Sequence, residues 1–354
     1  MKLLSCIVIS LIFSSVSMAG AVKVVGTVDL PIAPTNNFSK IKANQAETKH
    51  IQLLKIELSE KAKATLVKKA VTSSTQSNLF SVNSSKKIEL GMGTVPVLDQ
   101  GNYGSCATFA NTAAVDAAIN KGDYVSQLCQ LQLGRSLEEN GYNPSGWEGS
   151  LGGIVLNQMM SFGIVNKSQQ RAVGCGGLKD YPYWVTTIGR EMSPEEYHAI
   201  SESMDSHSIA WSSIVDAYQI LIDGANMDDV IKATKASLQA GDRLTLGVLL
   251  PAFEKGIAGA VGKHHQVNDT WMLTPEIIAA MTAEDYLPGH ELVITGYDDA
   301  AVAIDEQGNE SKGLFTLRNS WGGNVGDKGN FYISYDYFKA LALEVQRIRS
   351  KLLE

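Results

Sequence analysis

Three short stretches hold side chains able to run acyl-transfer chemistry. In residues 99–110, Asp-Gln-Gly-Asn-Tyr-Gly-Ser-Cys-Ala-Thr-Phe-Ala, a glycine-punctuated loop delivers Cys106 to the start of an alanine-rich run. That run, 106–120, lacks Gly and Pro and predicts a buried helix. A thiol at a helix amino terminus meets free backbone N–H groups and the positive end of the macrodipole, which stabilise a thiolate. Gln100, six residues upstream, can reach back and donate its amide to an oxyanion developing beside the Cys106 N–H. Read alone, a small core cysteine fits Cys106 as well as a nucleophile does. The second stretch, 288–297, is Pro-Gly-His-Glu-Leu-Val-Ile-Thr-Gly-Tyr and places His290 where a loop enters an apolar strand. The third, 317–323, is Leu-Arg-Asn-Ser-Trp-Gly-Gly and puts Asn319 at the end of another strand. An asparagine carbonyl can accept an imidazole N–H and fix its tautomer, while the neighbouring Trp321 keeps water off that bond. His290 alone reads as a satisfied loop histidine; the three stretches together read as nucleophile, base and orienting group.

The elements that must position these groups follow from the patterning. Residues 149–162 predict a second helix ended by Gly163, and strand-like runs fall at 244–250, 291–297, 313–318 and 330–334. Helices first and strands later predict an α+β fold, with a helical lobe, a β lobe and the site in the cleft between them. The chain has 354 residues, 44% of them apolar and 19% charged, enough to bury a real core and too apolar for a disordered chain. Its net charge of −7 and pI near 5.5 argue against a nucleic-acid partner.

The amino terminus reads as separable pieces. Residues 1–19 carry Lys2, an apolar run and Ser17-Met18-Ala19, the pattern of a cleaved export signal too short to span a bilayer. The product is then secreted, to a periplasmic or extracellular destination. Cys6 leaves with the signal, so Cys106, Cys129 and Cys175 remain. In an oxidising compartment Cys129 and Cys175 are expected to pair, two separate buried thiols being the alternative. Residues 20–88 hold eleven lysines against four acids, +7, whereas 89–354 carry −15. Ile51, Leu54, Leu58, Ala62 and Leu66 recur at helical spacing, so 38–71 predicts one amphipathic helix or two. The polar residues 72–78 and 81–85 predict an extended linker, with Lys86-Lys87 near a junction. The run 338–353 predicts a carboxy-terminal amphipathic helix.

Taken together, the three site stretches resemble the papain-like cysteine peptidases, and more closely the family's bacterial members, over roughly residues 95–338. The resemblance implies a papain-like two-lobed fold, a helical lobe plus a β-barrel-like lobe with the cleft between them, with Cys106 as nucleophile, His290 as base, Asn319 as orienting group, Gln100 as oxyanion donor and Trp321 as cover for the Asn–His bond. It places Gly149 and Ser150 where the family binds substrate backbone. It implies a zymogen: signal 1–19, an inhibitory basic prosegment and linker 20–88, and a peptidase domain 89–354. The substrates are then proteins or peptides and the enzyme a monomer with no metal, no cofactor and no membrane attachment. Tyr103 stands where many members have a disulfide cysteine, Ala107 replaces a tryptophan and Ser150 a glycine. These departures bear on substrate preference more than on catalysis. His264-His265 lack further ligands at metal spacing and read as an exposed loop. Asp298-Asp299 read as a turn, and 187–207 and 264–286 as insertions. Two other functions fit the same residues, a cysteine acyltransferase or deamidase and a binding protein on an inactive scaffold.

Overall fold

The most continuously buried run in the second half, around residues 287–297, becomes the strand on which the β lobe is assembled. The computed structural model describes residues 20–32, 49–76, 86–253, 269–305 and 307–351. Residues 1–19, read as an export signal, His264-His265 and the expected linker's 77, 78 and 81–85 lie outside the described residues, whereas 72–76, expected in that linker, continue the helix that begins at Glu60. In chain order the elements are β1 (Val22–Ile32), β2 (Lys49–Leu58), α1 (Glu60–Gln76), β3 (Lys87–Glu89), α2 (Cys106–Ile119), α3 (Gln127–Glu139), α4 (Gly152–Phe162), α5 (Lys167–Val173) and α6 (Pro194–His198). Then follow β4 (Ile209–Val215), α7 (Met227–Gln239), β5 (Arg243–Leu249), β6 (Thr270–Trp271), α8 (Pro275–Ala283), β7 (Leu287–Ile304), β8 (Glu310–Arg318), β9 (Asn330–Ser334), α9 (Tyr335–Leu341) and β10 (Ala342–Ser350).

The result is the expected α+β arrangement. Helices α2 to α6 form one lobe, and a sheet in the order β4-β10-β5-β7-β8-β9-β6 forms the other. Strand β7 also pairs with β2 and β3 on stretches its sheet neighbours leave free. Helix α2 is buried along nearly its whole length because alanines let it approach β5 and β7 closely. Asn120 ends it in a left-handed conformation (φ 55°), one that asparagine tolerates better than most residues. Gly163 ends α4 with φ 84° and ψ −168°, a backbone open to glycine, as its position in the sequence predicts.

Two predicted helices turn out otherwise. Of the one helix or two expected over 38–71, residues 38–48 lie outside the described residues, 49–58 form the strand β2, and a helix begins only at Glu60. Ile51, Leu53 and Ile56 are fully buried, and antiparallel pairing to β1 outweighs the helical spacing of Ile51, Leu54 and Leu58. The carboxy-terminal run is likewise a short helix, α9, followed by β10, which lies between β4 and β5. A strand inside a sheet is buried on both faces, so it shows no clean alternation for a sequence reader to find. Lys87 is not in a free linker either; it opens β3, opposite Asp298. Asp298-Asp299 fall within β7 at a register shift rather than in a turn after it, and Asp299 is buried against Lys235 and Tyr335.

Candidate active site

The site is built where the start of α2 meets the start of β7. The loop before α2 is shaped by its own backbone. Asp99 Oδ1 accepts from the Gly101 N–H (3.0 Å), and Gly101 takes φ 61°. The Gln100 N–H donates to the Ser320 carbonyl (2.8 Å), fastening this loop to the Asn-Ser-Trp-Gly stretch. The Ser320 hydroxyl donates to Gln100 Oε1 (2.8 Å), which turns Nε2 the other way. Ser105 makes no side-chain cap bond to α2, so the first-turn N–H groups beside Cys106 have no side-chain competitor from the cap.

His290 sits opposite Val248 of β5, and Asn319 directly follows β8. The His290 Nε2 and Asn319 Oδ1 are 2.7 Å apart, so the imidazole donates from Nε2. That bond leaves Nδ1 as the nitrogen free to take a proton, and Nδ1 is buried with no hydrogen-bond partner among the described residues. The Trp321 ring stacks on the imidazole, centroids 4.5 Å apart, and shields the His–Asn bond from water. Cys106 is the free cysteine among the described residues, while Cys129 and Cys175 are joined by a disulfide within the helical lobe. A thiol at a helix start, an oriented imidazole and an amide donor make an arrangement able to form and hydrolyse a thioester.

The cleft is covered. Strands β1 and β2 form a hairpin that lies across the site and extends the sheet, with Leu54 opposite Gly289. Gln100 Nε2 donates to the Tyr103 carbonyl (2.8 Å) and lies 3.4 Å from the carbonyl of Gln52 in the hairpin. A Cβ on Gly149 would meet Val24 at 2.6 Å and Leu54 at 2.9 Å, and one on Gly104 would meet Thr27 at 2.3 Å. The Gly149–Ser150 edge is therefore in contact with the hairpin, and Ser150 itself is buried. Burial pushes the Cys106 thiol up to about 12, with Glu291 acting in the same sense. Burial also pulls the His290 imidazole down to about 4 against the opposing bond to Asn319. Under the hairpin, at neutral pH, both groups are uncharged.

Below Cys106 lies a feature the sequence did not reveal. Asn111 on α2 donates to Glu291 Oε1 (2.6 Å), the residue after His290, and the Thr245 hydroxyl donates to Asn111 Oδ1 (3.0 Å). Glu344 of β10 accepts from the Gly152 N–H (2.7 Å) and from Gln346 (2.8 Å). Burial and mutual repulsion hold Glu291 well above the usual carboxylate range, and burial also raises Glu344. Glutamate after His290 was readable, but its partners come from three elements distant in the chain. Ser320 and the hairpin residues Val24, Thr27, Gln52 and Leu54 were also missed as parts of the site.

No family model matches the chain. It is 30% identical over 152 residues to Cysteine proteinase 1 of Entamoeba histolytica, a match covering 39% of this chain and 46% of the relative. The chain thus spans about half the length of the curated relative it matches. Among solved structures, xylellain, a cysteine protease from Xylella fastidiosa, is 17% identical with a TM-score of 0.46, covering 75% of this chain and 87% of that one. The bromelain protease from Ananas comosus is 14% identical with a TM-score of 0.44, over 75% and 99%. The chain resembles cysteine proteinases, as its three site stretches imply.

Proposed function

We propose that this chain is a papain-like cysteine peptidase held inactive by its own residues 20–88. What supports the reading is that a thiol opens α2 where that helix packs on β7, that the His290–Asn319 bond lies under Trp321, and that Gln100 is bonded to Ser320 of the same stretch. With the cleft open, His290 Nδ1 takes the Cys106 proton and the thiolate attacks a peptide carbonyl. The Gln100 amide and the Cys106 N–H hold the oxyanion. Collapse expels the amine, which takes its proton from His290, and water then cleaves the thioester with His290 as base.

The hairpin supports the inhibited form. His290 must face the departing amine, so the Trp321 side of Gln100 is the leaving-group side and the Gly149 edge the acyl side. Along β2, Leu54 lies at Gly149, Gln52 at Gln100, and Lys49 at Trp321. A substrate runs from acyl to leaving side in the N-to-C direction; β2 runs the other way and occupies the cleft without presenting a bond for attack. Charge contributes less than the +7 against −15 imbalance suggests. Lys63 and Lys69 donate to backbone carbonyls of the body, and Lys49 makes an ion pair with Asp99. Apolar burial dominates: Leu30, Ile51, Leu53, Ile56, Ala62, Leu66 and Ala70 belong to the main core.

Secretion after loss of 1–19 fits the Cys129–Cys175 disulfide. The test is to incubate the chain, before and after cleavage that removes 20–88, with a peptide and an excess of a primary amine, and to weigh the products. Free acid products that disappear with Cys106→Ala support the peptidase. Amide products point to acyl transfer, and no products from any form of the chain reject both.

A further inference from the structure

The amino end of β2 places one lysine in a socket formed wholly by the body. Lys49 Nζ donates to Asp99 Oδ2 (2.6 Å) and to the Trp321 carbonyl (2.7 Å), and lies 5.4 Å from the centre of the Trp184 ring. A carboxylate, a carbonyl and an aromatic face are the three groups that recognise an alkylammonium or guanidinium. Each is held by bonds independent of Lys49. Asp99 accepts from Gly101 through its other oxygen and bridges to Trp321. The Trp184 loop is tied to the oxyanion loop, since the Asn102 N–H donates to the Tyr183 carbonyl (3.1 Å) and the Tyr181 hydroxyl to the Gln100 carbonyl (3.0 Å). Tyr103 donates to the Val185 carbonyl of the same loop. Gly322 (φ 79°) leaves the entrance open; a Cβ there would stand 3.0 Å from Asp99 Oδ2 and 3.5 Å from Lys49 Nζ. Trp184 is 56% exposed, an apolar ring presented at the cleft edge.

We infer that this socket is a substrate subsite for a basic side chain on the leaving-group side of the scissile bond, and that Lys49 fills it in the inhibited chain. Lys49 is three residues along β2 from Gln52, whose carbonyl lies by the Gln100 amide, a span of about 10 Å at roughly 3.3 Å per residue. The matching side chain belongs to the second or third residue after the scissile bond. A net −15 on residues 89–354 attracts such substrates in the same sense. The substrate assignment rests on the peptidase reading; the socket itself does not.

Two measurements separate them. In full-length Lys49→Ala, titration with n-butylammonium is expected to give a saturable change in tryptophan fluorescence. n-Butanol should give none, and adding Asp99→Asn should weaken the response at least tenfold. No saturable response, or one that survives Asp99→Asn, overturns the socket. Lys49→Gln repeats the test should the alanine variant not fold. The second measurement compares hydrolysis of peptides that differ only in having Lys, Arg, norleucine or Glu at the second or third leaving-group residue. About tenfold preference for Lys and Arg over norleucine is expected, with the ratio falling to threefold or less in Asp99→Asn and partly in Trp184→Ala. Cleavage of all four at similar rates overturns the subsite and leaves the peptidase standing. No cleavage rejects the peptidase and with it the substrate role, while the ammonium titration still decides the socket.

Discussion

Cys106 is enclosed from two sides by different physics. Its floor is polar: Asn111, Thr245, Glu291, Glu344 and Gln346 form a buried hydrogen-bonded seam between the lobes. Its lid is the β1–β2 hairpin, which meets the cleft through Val24, Thr27 and Leu54, one backbone carbonyl and one lysine. The floor joins α2, β5, β7 and β10, elements that also form the core, so it cannot leave without unfolding. The lid is contiguous in the chain and crosses the cleft by side-chain contacts and three backbone pairings to β7. Both exclude water from the thiol; the lid, although its Leu30, Ile51, Leu53 and Ile56 are buried in the main core, is one contiguous segment that the proposed activation removes. On that proposal the raised Cys106 and lowered His290 pKa values belong to the closed form, and opening the lid is expected to allow a thiolate–imidazolium pair.

The comparison has no meaning if the enclosed thiol is not the nucleophile. Cys106→Ala is therefore expected to remove peptide hydrolysis by on the order of 10⁴-fold or more, with the fold retained, as checked by activity and circular dichroism. Gln100→Ala removes one oxyanion donor and should lower kcat by roughly 10²–10³, with less effect on KM. A loss below threefold would take Gln100 out of the mechanism. The lid is tested by Leu54→Asp, which puts an uncompensated carboxylate between the hairpin and the Gly149 edge. Alkylation of Cys106 by iodoacetamide at pH 7 should quicken at least tenfold, where the closed form reacts appreciably only toward its thiol value of about 12.

The floor predicts the smallest effect. Both Glu291 and Glu344 are raised in the fold relative to an unfolded glutamic acid, so the unfolded chain releases these protons first as pH rises. Their contribution is complete below the unfolded value and declines as pH climbs toward the folded values. Glu344→Gln abolishes one of these titrations. The variant's Tm should fall less between pH 5 and pH 8 than that of the parent chain, by a few degrees. An unchanged pH dependence would show that this carboxyl does not titrate between the lobes.

The candidate site was legible because the chemistry it would serve constrains residue type and spacing. Cys106, Gln100, His290, Asn319 and Trp321 stand in three short stretches whose local structure, loop to helix and loop to strand, is readable from glycines and apolar runs. The helical ends at Asn120 and Gly163 and the strand at 330–334 were equally plain. The lid was not, because a covering segment needs only shape and apolar contact. Ile51, Leu54 and Leu58 satisfy helical spacing, while Ile51 with Leu53 and Leu54 with Ile56 satisfy strand alternation on opposite faces, and only the partner β1 decides between them. The same holds for β10, whose central place in the sheet hides its faces. The floor was invisible for a third reason: Glu291 gains its meaning from Glu344, 53 positions away along the numbering.

A peptidase whose cleft is closed by its own hairpin must gain activity as the hairpin is lost, and one time course tests this directly. Full-length protein is incubated with a quenched fluorescent peptide while its mass spectrum is followed in the same sample. Hydrolysis is expected to rise in proportion to the fraction of chains that have lost the hairpin, and to stay at zero in Cys106→Ala. Hydrolysis by the intact chain at the rate of the shortened one, or a shortened chain that cleaves nothing, would contradict it.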